Sequence, residues 1–179
     1  MLSLGLLAAM AGAVLSGCTR PGQLAEGPLG KVPENHVVAG QPVRQGMADT
    51  IGLDATYNGG PAPAVIDRLV LVSPRHIKLI GAYVTIGGIV GDWPTFPPSI
   101  PSARSDPGLV HAIRAWAHRH KPAGAVIPPH QWAGIALGLE ATSAHGSIAG
   151  IDLFYHVGSA YYEWRGHVRI VLTLVRRTS

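Results

Sequence analysis

Residues 133–175 read AGIALGLEATSAHGSIAGIDLFYHVGSAYYEWRGHVRIVLTLV. In the opening ten, Ala133, Ile135, Leu137, Leu139 and Ala141 alternate with Gly134, Ala136, Gly138 and Glu140. Successive side chains of a strand point to opposite faces, so this alternation puts the bulkier apolar groups on one side. Further runs follow at Ile148–Val157, Ala160–Trp164 and His167–Val175, the last with Val168, Ile170, Leu172 and Leu174 on one face. Period-two runs separated by turn signals at about ten-residue intervals are the pattern of an antiparallel sandwich.

Working upstream, Asp49–Tyr57 sets Ile51, Leu53 and Ala55 on one face, and Val37–Val43 is a weaker strand pattern. Ala64–Ser73 and Ile77–Ile86 flank the turn-like Pro74-Arg75-His76, which fits either a β-hairpin or a strand pair crossing between sheets. Residues 87–107 hold Gly87, Gly88, Gly91 and five prolines, which reads as a long surface excursion of the functional or mobile kind. Leu109–His118 carries Leu109, Ile113 and Trp116 at helical spacing and admits one short helix or an extended segment, and Ala123–Ile127 gives a short strand. The expectation is an all-β, antiparallel, immunoglobulin-like β-sandwich of about seven to nine strands.

Composition agrees. Only 13% of the chain is charged, while it has 23 glycines and 15 prolines, a balance suited to short strands joined by many turns. The net charge of +4 is modest, and the basic residues are scattered or in short clusters, without the interleaved basic and aromatic stripe of a nucleic-acid binder. No nucleic-acid partner is therefore expected, although attraction to anionic headgroups or acidic wall polymers fits the charge.

The N-terminus is of a different character. Leu2–Gly17 is uncharged and, at 16 residues, shorter than the roughly 20 a membrane-spanning helix needs. It has the length of a signal-peptide apolar region, although Met1–Gly5 lacks the Lys or Arg usual before one. Its end, Leu15-Ser16-Gly17-Cys18, resembles the lipobox of bacterial lipoproteins. That resemblance implies cleavage before Cys18, acylation of its sulfur, and anchoring at the extracytoplasmic face of the bacterial cell membrane. It divides the chain into a signal peptide (1–17), a lipidated N-terminus and flexible tether (18–32, rich in Gly and Pro), and a β-sandwich domain (33–179). Cys18 is the only cysteine, so acylation leaves no thiol for disulfides, thiolate catalysis or a copper–thiolate centre.

Across the remaining chain, DRLVLVSP (67–74), GAYV (81–84), a Trp93-Pro94 loop, IPPHQW (127–132), IDLFYHVG (151–158) and YYEW (161–164) together resemble small secreted or membrane-anchored actinobacterial proteins of unknown function. The resemblance implies an immunoglobulin-like domain and transfers no catalytic residue.

Chemistry-bearing patterns are sparse. There are nine histidines; His118 and His120 sit at i and i+2, which on a strand share a face and could share a metal ion, and His145, His156 and His167 recur every 11 residues. Neither pattern has strong zinc spacing. No G-x-S-x-G, G-x-G-x-x-G or P-loop occurs, and Asp67, Asp92, Asp106, Glu140 and Asp152 lie far apart in sequence. Aromatics cluster late, from Phe154 to Trp164, as core; Trp93 and Phe96, exposed in the proline-rich loop, are candidate partner anchors. These residues predict a non-catalytic binding or accessory module without a cofactor, meeting an envelope protein or wall component, with histidine-based copper or zinc binding as the alternative.

Overall fold

The computed structural model describes residues 26–31, 38–101, 106–166 and 168–175. The signal-peptide region, Cys18 and most of the tether lie outside them. The described elements are β1 (Leu29–Lys31), β2 (Val38–Val43), β3 (Asp49–Asn58), β4 (Ala64–Val72), β5 (Ile77–Ile86), α1 (Pro107–Ala117), β6 (Arg119–His120), β7 (Val126–Ile127), β8 (Trp132–Ala141), β9 (His145–Ile148), β10 (Gly150–Val157), β11 (Ala160–Gly166) and β12 (Arg169–Leu174).

They form a five-stranded sheet β1-β3-β8-β5-β6, a four-stranded sheet β11-β10-β4-β7, and a three-stranded sheet β2-β12-β9. Only Ala149 separates β9 from β10, and β11 and β12 are likewise close in the chain, so each pair acts as one long strand that changes sheet midway. Counted that way, the first, second, fifth and fourth long strands are neighbours in one sheet (β1, β3, β8, β5), and the seventh, sixth and third in the other (β11, β10, β4). This is the strand order of an immunoglobulin-like sandwich. The opening strand also divides, β1 pairing antiparallel with β3 and β2 running parallel to β12. Of the two arrangements open for Ala64–Ile86, the crossing between sheets is the one formed: β4 pairs with β10, and β5 with β8.

The core lies between the sheets. Ile135, Leu137 and Leu139 from β8 meet Ile66, Ile151, Leu153 and Tyr155 from the opposite sheet, each no more than 2% exposed. Deep burial of this kind removes apolar surface from water and dominates the stability of a chain without disulfides.

β8 differs from a half-buried strand in that its second face is also covered. The small residues at 134, 136 and 138 admit the excursion that follows β5: a Cβ on Gly134 would lie 2.6 Å from the Gly88 carbonyl oxygen, and one on Gly138 would fall inside the Phe96 ring. Gly81 lies under the same ring, and Gly52 against the Gly91 backbone. Two backbone hydrogen bonds, Thr50 N–H to Trp93 O (2.8 Å) and Trp93 N–H to Thr50 O (2.9 Å), fasten the excursion to β3.

One boundary moves. Residues 29–31, assigned to the tether from their Gly-Pro surroundings, form β1, and Leu29 is only 5% exposed. Its N–H donates to the Tyr155 hydroxyl at 3.1 Å. A three-residue strand with one buried side chain is too short to show a period, which is why sequence pattern misplaces it. Among the described residues no helix is long and apolar enough to cross a membrane.

Candidate binding cleft

Residues 87–131 connect β5 to β8, two strands that pair side by side up to Ile86↔Ala133. The second half of that connection builds a cleft at one end of the sandwich. Asp106 caps α1, accepting from Gly108 N–H (2.8 Å) and Leu109 N–H (3.2 Å), with Pro107 at the first helical position where a missing N–H costs nothing. Ala112 and Ala115 are the helix's buried residues, their small size allowing close approach to the sheet. The helix ends at His118, whose N–H bonds the carbonyls of Arg114 and Ala115, and the chain turns back as β6 along β5.

Aromatic and cationic side chains fix this return. Trp116 stands edge-on to Tyr83 at 5.1 Å; the Arg119 guanidinium lies 4.5 Å from the Trp116 ring centre and donates to the Trp116 carbonyl; Lys121 Nζ is 4.3 Å from the Tyr83 ring centre. Such contacts favour a charge over the ring face and orient the long side chains.

Buried Asn58 ties the opposite wall in place. Its Nδ2 donates to Ala62 O and Ile127 O, both at 2.9 Å, and its Oδ1 accepts from Gly60 N–H at 3.0 Å. Backbone bonds Asn58 N–H to Gln131 O and His130 N–H to Asn58 O complete the link. The resulting cleft, of about 460 Å³, is lined by His111, Arg114 and His118 on the helix and by His120, Val126 and Gln131 across from it, among others.

Among the described residues no carboxylate lines it. Between Asp106 and Glu140 the sequence has no Asp or Glu at all, while Arg114, Arg119 and Lys121 are exposed there. A guanidinium, three imidazoles and an amide offer hydrogen-bond donors to an anionic group.

The sequence pattern singled out His118 and His120, and both line this cleft. Of the two possibilities for Leu109–His118 the helix is the one formed, so their shared position comes from a helix end and a two-residue strand and not from one strand face, because His118 caps α1. Among the described residues no three His, Cys, Asp or Glu side chains gather as a metal-holding group. His111 and Arg114 were missed; His111 and His118 are seven residues apart, a spacing that shares a helical face and would have linked them once the helix was accepted.

Trp93 and Phe96 are half-buried, which corrects the expectation that they stand exposed. Phe96 covers Gly81 and Gly138 and lies 5.9 Å from the Tyr83 ring, while Trp93 Nε1–H donates to Val90 O at 2.9 Å. The glycine face of the sheet gives these rings an intramolecular seat. Elsewhere, His156 Nδ1 is 2.9 Å from Asp67 Oδ1 and its ring lies 5.5 Å from that of Tyr161; His145 lies near Thr173, and His167 is outside the described residues.

Fold and cleft together define an immunoglobulin-like β-sandwich with a helical insertion between its fourth and fifth long strands. No protein-family model matches the chain, and a search of curated proteins gives no match. Among solved structures it is similar to the ASH / PapD-like domain of human CEP192 (PapD-like domain 7), with a TM-score of 0.38 and 11% identity over 94% of this chain and 99% of that one.

Proposed function

We propose that this chain is a lipid-anchored, extracytoplasmic module of a bacterial cell envelope that acts by binding and not by catalysis, with an envelope protein or wall component as its partner. The observation that carries the reading is Leu15-Ser16-Gly17-Cys18, and strand β1 starts at Leu29, close downstream in the sequence. Two or three acyl chains at one cysteine give stable anchoring where one would be marginal. Immunoglobulin-like sandwiches recur in cell-surface domains, and their end loops vary freely on a fixed scaffold, which supports a binding role.

The test is fatty-acid labelling and fractionation of cells producing the wild type and Cys18→Ala. The wild type should incorporate label and sediment with membranes, and the variant should do neither. A variant that fractionates and migrates like the wild type would refute the anchor.

A further inference from the structure

We propose that the cleft end of the sandwich lies against anionic phospholipid headgroups of the membrane that holds Cys18; the geometry rests on the lipobox reading, whereas the chemistry does not. The chain enters the fold at this end: Gly59 N–H donates to Pro28 O at 3.0 Å, and Asn58 N–H to Gln131 O at 3.0 Å, so the start of β1 adjoins the turn that walls the cleft. From Cys18 to Pro28 the backbone reaches at most about 36 Å even when fully extended. The cleft end is thus the part of the domain kept nearest the bilayer.

The surface there suits that neighbour. Arg114, Arg119 and Lys121 are exposed and form no ion pair among the described residues. Beside them stand exposed apolar groups: Val110 (36%) and Ile113 (38%) on α1, Val126 (45%) on the cleft wall, and Trp132 (47%) next to Gln131. An acidic soluble partner would account for the cations alone. A phospholipid surface accounts for both, since it presents phosphate to the cations and an apolar boundary to Val, Ile and Trp.

The test uses the mature chain, residues 18–179 with Cys18→Ser so that no acyl chain contributes, sedimented with vesicles. It should bind vesicles of phosphatidylcholine containing one third phosphatidylglycerol, bind pure phosphatidylcholine far less, and be released by salt. At about fivefold per cation near an anionic surface, Arg114→Gln with Lys121→Gln should weaken partitioning about 25-fold. Arg114→Lys with Lys121→Arg should retain it, and Lys78→Gln with Arg169→Gln, equal in charge change but on other strands, should cost less than about threefold. Equal losses in the two Gln pairs, equal binding to neutral vesicles, or capture by soluble polyphosphate without vesicle binding would each overturn the proposal. Failure of the anchor would show separately, in fatty-acid labelling of cells, which this assay does not use.

Discussion

Asp54 gives the sharpest test of the physical picture. It sits where β3 slips register against β8, between Ile51 and Asp54, and its carboxyl faces Gly166, in the opposite sheet, so closely that a side chain on that glycine would collide with it. One oxygen accepts from Ala55 N–H at 3.1 Å, but burial dominates and pushes its pKa from 3.8 to about 6. The folded state therefore holds a proton on Asp54 through a pH range in which the unfolded chain has released it. Below pH 3.8 both states are protonated and the group costs nothing; as pH rises towards 6 the cost grows, and above 6 it is complete. At about 1.4 kcal/mol per pKa unit, a shift of about two units amounts to about 3 kcal/mol, and we expect about 2–3 after relaxation. Asp54→Asn preserves the shape and an acceptor for Ala55 N–H while abolishing the titration. Urea denaturation of both proteins from pH 4 to 8 should show the variant gaining stability relative to wild type by about 1.4 kcal/mol per pH unit between about pH 4 and 6, then levelling off. A stability difference that stays constant across that range would refute the reasoning.

Three further outcomes are expected. Gly138→Ala displaces the Phe96 ring and should cost about 1–3 kcal/mol, whereas in a Phe96→Ala background it should cost much less; strictly additive losses in a double-mutant cycle would show that the ring does not seat on the glycine face. Asn58→Ala removes three hydrogen bonds from a buried site and should cost about 2–4 kcal/mol, read as a fall in Tm of roughly 5–15 °C; a change under 1 kcal/mol would mean that the cleft wall is held by other contacts. On the binding-module reading zinc or copper should not raise the melting temperature measurably, and a shift abolished by His118→Ala with His120→Ala would favour the metal-binding alternative.

The strands were legible where the chain is long and its two faces differ. β8 was read to within one residue because alternation over ten positions is hard to produce otherwise, and β5 was read to its ends as an apolar run following the turn-like Pro74-Arg75-His76. Three features were not legible. β1 is too short to carry a period. The glycines of β8 looked like the indifferent half of an alternating strand, and only tertiary structure shows that they make room for Phe96 and Gly88. His111 and Arg114 belong to the cleft because α1 turns them towards β6 and the 126–131 turn; the seven-residue spacing of His111 and His118 shows a shared helical face, but what that face packs against is set by tertiary structure.

The position of the insertion explains how one fold accommodates both a covered sheet and an open cleft. β5 and β8 remain paired up to Ile86↔Ala133, so a turn of a few residues could join them; chain 87–131 stands there instead. Loop-closure entropy rises only with the logarithm of length, and growing from about four residues to about 45 costs roughly 2 kcal/mol, which the insertion can offset by its own packing. Its two halves differ in how they use their side chains. The first, from Gly88 to Phe96, places aromatics and backbone on the glycine face and fastens itself to Thr50. The second, from Pro107 to Gln131, buries two alanines of its helix and leaves Arg114, Arg119 and Lys121 exposed without a carboxylate partner among the described residues. The second half thus presents cations to solvent on a rigid support, whereas the first half turns its Phe96 ring towards the glycine face of the sheet.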